Sequence, residues 1–183
     1  MEKFLIASTI TLWVVVLFNL FLSLALVRRF GRFTVMPTLD NISTLGIGTQ
    51  APDFTAETLD GQLVSSATYS RESVLFVFVS PTCDPCIEKI GMFNKLYFQA
   101  KQHGVNIILV CLASKGETQV FADKYSIEVP MLVAPPENNS FMKSYKAPGT
   151  PFYCFVSNEG KVQSTGLLDS NWDQLVQKWG ADD

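Results

Sequence analysis

The feature that most constrains this chain is a pair of cysteines placed between an apolar run and a helix pattern. Cys83 and Cys86 are separated by two residues and follow Val74–Val79, an uncharged run of the length of a buried central strand. From Ile87 to Gln102, apolar residues recur at three- and four-residue spacings, which predicts a helix with one buried face. Two thiols at a helix start can join in a disulfide and exchange it with another protein. The sequence therefore predicts a redox-active dithiol.

The two cysteines are expected to have different roles. Cys83, first at the helix terminus, should be exposed and should attack as a thiolate, favoured by backbone N–H groups and the positive end of the helix dipole. Cys86, one turn further in, should be more buried and should resolve the mixed disulfide. Pro85 is tolerated in the first helical turn, because its missing N–H would have no intrahelical partner there.

Two carboxylates near the thiols are candidates for tuning them. Asp84 stands between the cysteines and disfavours a second negative charge, so the potential should lean toward reducing. Asp84 is also a favourable residue at a helix N-terminus, and both roles can hold. Glu88 is a candidate proton acceptor for the resolving thiol, although a solvated helix surface explains it equally well.

Pro151 and the residue before it form a second candidate site element. Pro151 opens a strand pattern, a position that proline tolerates, and Pro148 and Gly149 introduce a bend before it. A bond between Thr150 and Pro151 is ordinarily trans. If the bond is cis and lies beside the dithiol, the backbone of Thr150 could pair with an extended substrate peptide.

The other cysteines do not indicate a metal site. A tetrahedral zinc site needs two ligands beyond a Cys-x-x-Cys pair. The only histidine, His103, lies at the far end of the helix, and Cys111 and Cys154 lie inside strand patterns, so we expect no metal and no cofactor. In the predicted sheet the strand Val74–Val79 separates these two cysteines by roughly 9 to 10 Å, beyond the disulfide reach of about 7 Å. We expect both to be small core residues.

The remaining patterns predict an α/β domain with a mixed sheet and helices on both faces. Strand and helix patterns alternate after the dithiol helix, as in an α/β sheet, and a hairpin follows. A turn signal at residues 59–62 predicts an additional small hairpin near the start of the domain. The later predicted elements are, in order, strand 105–112, helix 117–125, strand 131–134, helix 139–145, strands 152–157 and 162–167, and helix 171–179.

The N-terminus predicts a membrane anchor. Residues 4–27 contain no charge, and 24 residues are enough to span a hydrocarbon core of about 30 Å. The apolar region of a cleaved signal peptide is shorter, roughly 7 to 15 residues, and here three arginines follow directly. We therefore expect an anchor with a basic flank over residues 1–33, a linker over 34–47 and a redox domain over 48–183.

The distribution of charge along the chain indicates which partners the domain can bind and on which side of the membrane it lies. Residues 1–39 hold four basic residues against one acidic residue, so the rest carries −6 within a total of −3. An acidic domain is a poor nucleic-acid binder, and no nucleic-acid partner is expected. The arginines after the anchor favour a cytoplasmic domain, whereas disulfides persist outside the cytoplasm. On functional grounds we favour the extracytoplasmic side.

The order of strand, Cys-x-x-Cys helix and a later Thr150–Pro151 opening a hairpin resembles the thioredoxin superfamily. Residues 51–54 and 59–61 are similar to the opening segment of its redoxin branch, the membrane-anchored TlpA-, ResA- and MauD-like proteins. The resemblance covers residues 48–179 and implies a thioredoxin-like fold, thiol-disulfide exchange and a cis bond before Pro151. Family members handle disulfides outside the bacterial cytoplasm, including cytochrome c maturation and methylamine dehydrogenase assembly.

The chain also departs from that family pattern. Thr82 replaces an aromatic residue common before the first cysteine, and Lys89 replaces a glutamate usual after the second. The segment Ser80–Cys83 and the anchor ending in arginines are closer to the MauD type.

The leading expectation is a membrane-tethered thiol-disulfide oxidoreductase acting on exported proteins. Its partners would be cysteine-containing clients, a membrane or soluble thiol redox partner, and the lipid bilayer through residues 4–27. A thiol peroxidase is an alternative, but Phe76 and Ser80 stand where a related pattern has proline and threonine. A non-catalytic assembly factor, in which the cysteines mainly fix the loop, is another alternative.

Overall fold

A computed structural model describes residues 6, 12–21 and 44–168 of the chain. The chain divides into two units, Met1–Ile42 and Ser43–Asp183. In the first unit, residue 6 and residues 12–21, here called α1, are helical and exposed. No helix among the described residues has the length and apolar character needed to cross a membrane. Most of the predicted anchor and all of the predicted helix 171–179 lie outside the described residues, and the domain boundaries stay a prediction.

The second unit is built on a mixed sheet, as the sequence predicted. The described strands form one seven-stranded sheet in the order β2-β1-β5-β4-β3-β6-β7. β3, β4 and β5 are parallel, and β1, β2, β6 and β7 join by antiparallel pairing. The strands are β1 (Thr55–Thr58), β2 (Leu63–Ser65), β3 (Ser73–Val79), β4 (Val105–Cys111), β5 (Met131–Val133), β6 (Phe152–Val156) and β7 (Val162–Leu167).

The helix expected over 87–102 is interrupted in the structure. α2 spans Asp84–Glu88 and α3 spans Ile90–Gln102. At the junction the N–H of Lys89 donates to the carbonyl of Cys86 at 3.2 Å. This bond reaches back only three residues, and such a tight turn breaks the regular α-helical ladder. The other described helices of this unit are a 3₁₀ helix (Ser66–Tyr69), which the sequence did not predict, α4 (Lys115–Tyr125) and α5 (Phe141–Ser144).

β3 has a hydrophobic core on each of its faces, which explains its uninterrupted apolar sequence. Leu75, Val77 and Val79 face a core that we call the thiol-side core, which includes Cys86 and buried residues of α3 and α4. Val74, Phe76 and Phe78 face the aromatic core, whose aromatic members are Phe54, Phe76, Phe78, Phe141, Tyr145 and Phe152. The sheet separates the two cores.

The placement of the remaining cysteines confirms the sequence prediction. Cys111 ends β4 and Cys154 lies in β6, and β3 pairs with both strands between them. Both cysteines are free and fully buried. They are therefore core residues and not a second disulfide.

Candidate active site

Cys83 and Cys86 form a disulfide at the carboxyl end of β3. Their Cα atoms are 5.2 Å apart. Residues 80–82 connect the strand to the pair, and the N–H of Cys83 donates to the carbonyl of Ser80 at 3.1 Å. The apolar strand fixes where this loop begins, and the helix that follows fixes where it ends. The disulfide is thus held between two rigid elements.

Cys83 occupies the N-cap position of α2. The backbone N–H of Cys86 donates to Cys83 Sγ at 3.2 Å. The N–H groups of Cys86 and Ile87 also donate to the Cys83 carbonyl, at 2.9 and 3.1 Å. An N–H aimed at a sulfur stabilises the thiolate once the disulfide is reduced. The local geometry therefore suits Cys83 to act as a nucleophile.

The two sulfurs differ in accessibility. Cys86 is 0% exposed and belongs to the thiol-side core, whereas Cys83 is half-buried at its margin. An incoming sulfur must approach in line with the bond that it breaks, so the more exposed atom receives the attack. This difference in burial is the one expected from the sequence. The attacking and resolving roles stay a prediction.

The expected tuning residues surround the pair but do not contact it through hydrogen bonds. Asp84 and Pro85 lie in the first turn of α2, as expected, and both are exposed. Glu88 is the last residue of α2 and is also exposed, whereas Cys86 is fully buried. Within residues 44–168, neither Asp84 nor Glu88 forms a side-chain hydrogen bond or an ion pair. Their tuning and proton-transfer roles stay predictions.

Thr150 and Pro151 lie at the same end of the sheet as the disulfide. The bond between them is cis, as the family resemblance implied, and not trans as is ordinary for such a bond. Phe152, the next residue, pairs with Phe78 near the end of β3. Thr150 is half-buried and forms no backbone hydrogen bond with another residue in 44–168. A role of the Thr150 backbone in pairing with an extended substrate peptide stays a prediction.

The structure adds two hydroxyl side chains that the sequence reading did not include in the site. Ser80 Oγ and Thr82 Oγ1 are 3.1 Å apart in the loop before Cys83, and the N–H of Thr82 approaches Ser80 Oγ at 3.4 Å. Serine and threonine residues two positions apart commonly form such local hydrogen bonds, so the spacing of Ser80 and Thr82 is a sequence feature that could have indicated this contact. Both line a cleft of about 500 Å³ beside the dithiol loop, together with Leu112 and Glu117.

The buried cysteines are poor competitors for the redox role. Burial raises the pKa of Cys154 to about 12. Burial also raises the pKa of Cys111, although a hydrogen bond with Thr118 partly opposes the shift. Since the thiolate is the reactive form, neither side chain is a ready nucleophile. Among the described residues, no group of three or more His, Cys, Asp or Glu side chains is arranged to hold a metal ion.

A mixed sheet whose central parallel strand leads into a Cys-x-x-Cys helix, with a cis-proline opening the neighbouring strand, defines a thioredoxin-like fold. A solved structure of a putative thiol:disulfide interchange protein DsbE from Chlorobium tepidum superposes with a TM-score of 0.67 and 20% identity. The match covers 75% of this chain and 97% of that one, and confirms the fold. The model of the AhpC/TSA family matches residues 47–165, and the chain belongs to that family.

Curated relatives carry names of the expected class. The chain is 28% identical over 120 residues to the thiol-disulfide oxidoreductase ResA of Bacillus thuringiensis subsp. konkukian, which covers 63% of this chain and 66% of that protein. It is 27% identical over 141 residues to the thioredoxin-like protein YneN of Bacillus subtilis, covering 74% of this chain and 79% of that protein. The recognised family and the enzyme class of these relatives are those expected from the sequence.

Proposed function

We propose that this protein is a thiol-disulfide oxidoreductase that exchanges the Cys83–Cys86 disulfide with cysteines of client proteins. The single observation that carries the proposal is the asymmetric disulfide at the start of α2, with one sulfur accessible and the other fully buried. Thiol-disulfide exchange needs this arrangement, because the attacked sulfur must be reached and the resolving sulfur must stay close. The names of the relatives support the same activity.

In the reducing direction, the Cys83 thiolate attacks a client disulfide. A bond forms between Cys83 Sγ and one client sulfur, the client disulfide breaks, and the second client sulfur leaves as a thiolate. Cys86 then loses its proton and attacks Cys83 Sγ, which releases the first client sulfur and forms the intramolecular disulfide. The client gains two electrons and this protein loses two. A thiol redox partner restores the dithiol by the same exchange.

We also propose a location and a client class. Residues 4–27 tether the domain to the cell membrane, as the length of the uncharged segment supports. The domain faces the extracytoplasmic side and reduces or isomerises disulfides of exported proteins, of the kind handled in cytochrome c or methylamine dehydrogenase maturation. An impermeant thiol reagent applied to intact cells after mild reduction tests the location, and labelling of Cys83 only in broken cells would contradict it.

A trapping experiment tests the exchange activity. The Cys86→Ser variant should accumulate a mixed disulfide with its client, because the resolving sulfur is missing, and dithiothreitol should release it. Cys83→Ser should trap nothing. The matched control is Cys154→Ser, which changes another fully buried cysteine outside the site and should retain insulin reduction. Trapping by Cys83→Ser, or full activity in the variant lacking both site cysteines, would contradict the proposal.

The same variants distinguish the alternatives. A thiol peroxidase would still consume peroxide after Cys86→Ser and would need only Cys83. A non-catalytic assembly factor would still support client maturation when both cysteines are replaced by serine. If the protein is the proposed oxidoreductase, Cys86→Ser should not consume peroxide, and the variant lacking both cysteines should not support maturation of the client.

A further inference from the structure

A second cavity lies at the end of the sheet opposite to the disulfide. It has a volume of about 370 Å³ and is lined by Val74, near the start of β3, and by Val156, at the end of β6. The disulfide follows the other end of β3, roughly 17 Å further along the strand at about 3.3 Å per residue. The cavity is thus separate from the site of exchange. Its volume falls in the usual range for small-molecule sites.

The floor of this distal cavity is aromatic and held in place by ring packing. Phe54, Tyr69 and Phe76 line it. Phe54 meets Phe76 edge-to-face with 5.2 Å between ring centroids, and Tyr69 meets Phe76 in the same way at 5.9 Å. Behind the floor, the ring of Phe54 stacks on Phe141 at 3.9 Å. Phe54 and Phe76 are 5% and 2% exposed and form a packed apolar floor, whereas the half-buried Tyr69 is the ring with accessible surface.

One hydroxyl group in the lining has no hydrogen-bond partner among the described residues. Tyr145 is 1% exposed and lines the cavity, yet within residues 44–168 its hydroxyl forms no hydrogen bond. Burial raises the pKa of Tyr145, and neighbouring Cys154 and Asp53 raise it further, so the side chain is a neutral phenol that senses the charge of Asp53. A hydroxyl group that borders the cavity can accept from or donate to a molecule bound there.

The charges at the mouth favour a cation. The lining residues include three carboxylates and one guanidinium, that of Arg71. Two of the carboxylates are engaged by other side chains: Glu72 accepts from Asn106 at 2.7 Å, and Glu159 accepts from Lys161 at 2.8 Å. The third belongs to Asp53, where one oxygen accepts from Ser66 Oγ at 2.6 Å and the other makes no hydrogen bond to a described residue. That oxygen can accept from an ammonium group.

We propose that the distal cavity binds a small organic amine with a flat apolar body. The ammonium group donates to Asp53 and to Tyr145 Oη, and the body lies against Phe54, Tyr69 and Phe76. The half-buried ring of Tyr69 can add a cation–π contact to the contact with the exposed carboxylate of Asp53. No exchange of thiols is involved, so this binding is independent of the function proposed for the disulfide.

Three probes of similar shape test this inference on the full-length protein in detergent. Benzylamine, benzyl alcohol and benzoate share a ring and differ in charge, and their binding can be followed by saturation-transfer NMR. A ligand of this size is expected to bind at about millimolar concentration. We expect benzylamine to bind at least about fivefold more tightly than benzoate, because the carboxylate of Asp53, with one oxygen not hydrogen-bonded to a described residue, attracts an ammonium group and repels a carboxylate.

Matched variants separate the proposed contacts from general effects. Asp53→Asn and Tyr145→Phe should each weaken benzylamine binding about fivefold or more, since each removes one polar partner of the ammonium group. Asp60→Asn, in the turn after β1, and Tyr97→Phe, on the thiol-side core, should leave it unchanged. All four variants should retain insulin reduction. Equal binding of benzoate, equal weakening by the controls, or no amine binding up to about 10 mM would overturn the inference.

Discussion

Reduction of the disulfide should make the folded domain measurably less stable. Cys83 and Cys86 are three positions apart, so the bond closes a loop of four residues. The chain-entropy relation for a loop of this size gives about 2 kcal/mol of stabilisation through restriction of the unfolded chain. For the unit Ser43–Asp183, which has about 140 residues, this corresponds to a decrease in Tm of about 5 to 7 °C on reduction.

An opposing effect acts on the reduced form, where the N–H of Cys86 can stabilise a Cys83 thiolate. Each unit by which the thiolate pKa falls below the pH of the measurement stabilises the reduced protein by about 1.4 kcal/mol. The exposed carboxylate of Asp84 stands next to Cys83 and disfavours the negative charge. We therefore expect the loop-closure effect to exceed the thiolate effect, which would make the protein a reductant.

The measurement is thermal and urea unfolding, followed by circular dichroism near pH 7, with and without dithiothreitol. Cys86→Ser is the control, because it has no disulfide and its Tm should not respond to the reductant. A reduced form as stable as the oxidised form, or more stable, would refute the reasoning, since the thiolate would then outweigh loop closure and the protein would be an oxidant.

Three further outcomes can be checked on the same material. Asp84→His should make the protein more oxidising, by on the order of 10 to 30 mV in equilibrium with glutathione, because a carboxylate next to the nucleophile is removed; an unchanged equilibrium would reject a tuning role. Ser114→Ala should destabilise the domain by about 1 kcal/mol, since the Ser114 hydroxyl caps α4. Hydrogen bonds from Ser114 lower the pKa of Glu117 in the folded protein, so the stabilisation that they provide is present above the pKa that Glu117 has in the unfolded chain. The difference in Tm between the wild type and Ser114→Ala should therefore shrink as the pH falls through the pKa of Glu117 in the folded protein. At pH 8, iodoacetamide should leave Cys154 unmodified in the folded protein and modify it in urea, because burial raises its pKa to about 12; rapid modification in the folded state would contradict its place in the core.

The sequence predicted the parts of the fold that are set by local patterns. The apolar run before the dithiol corresponds to β3, Ser73–Val79, and its central position was expected because no polar residue interrupts it. The sequence also predicted that β3 lies between the strands that carry Cys111 and Cys154, and the order β4-β3-β6 confirms this. These elements are specified by hydrophobic periodicity, which is visible within a window of a few residues.

Features that hydrophobic periodicity does not encode were not predictable in the same way. The break at Lys89 follows from a three-residue hydrogen bond inside a stretch whose apolar periodicity continues across it. The cis isomer of the Thr150–Pro151 bond cannot be predicted from composition or periodicity, and only the family resemblance implied it. The distal cavity combines residues from both ends of the domain sequence, from Gln50 to Gly160. Such non-local contacts have no local signal.

The two-sided burial of β3 has a consequence for how the protein can change. Alternate residues of β3 pack into different cores: one set faces the thiol-side core, and the other faces the aromatic core on the opposite face of the sheet. Substitutions more than about 7 to 10 Å apart with no shared partner have nearly additive effects on stability. Substitutions in the aromatic core should therefore change the surroundings of the distal cavity with little effect on the geometry of the disulfide, because β3 and its sheet neighbours lie between the two.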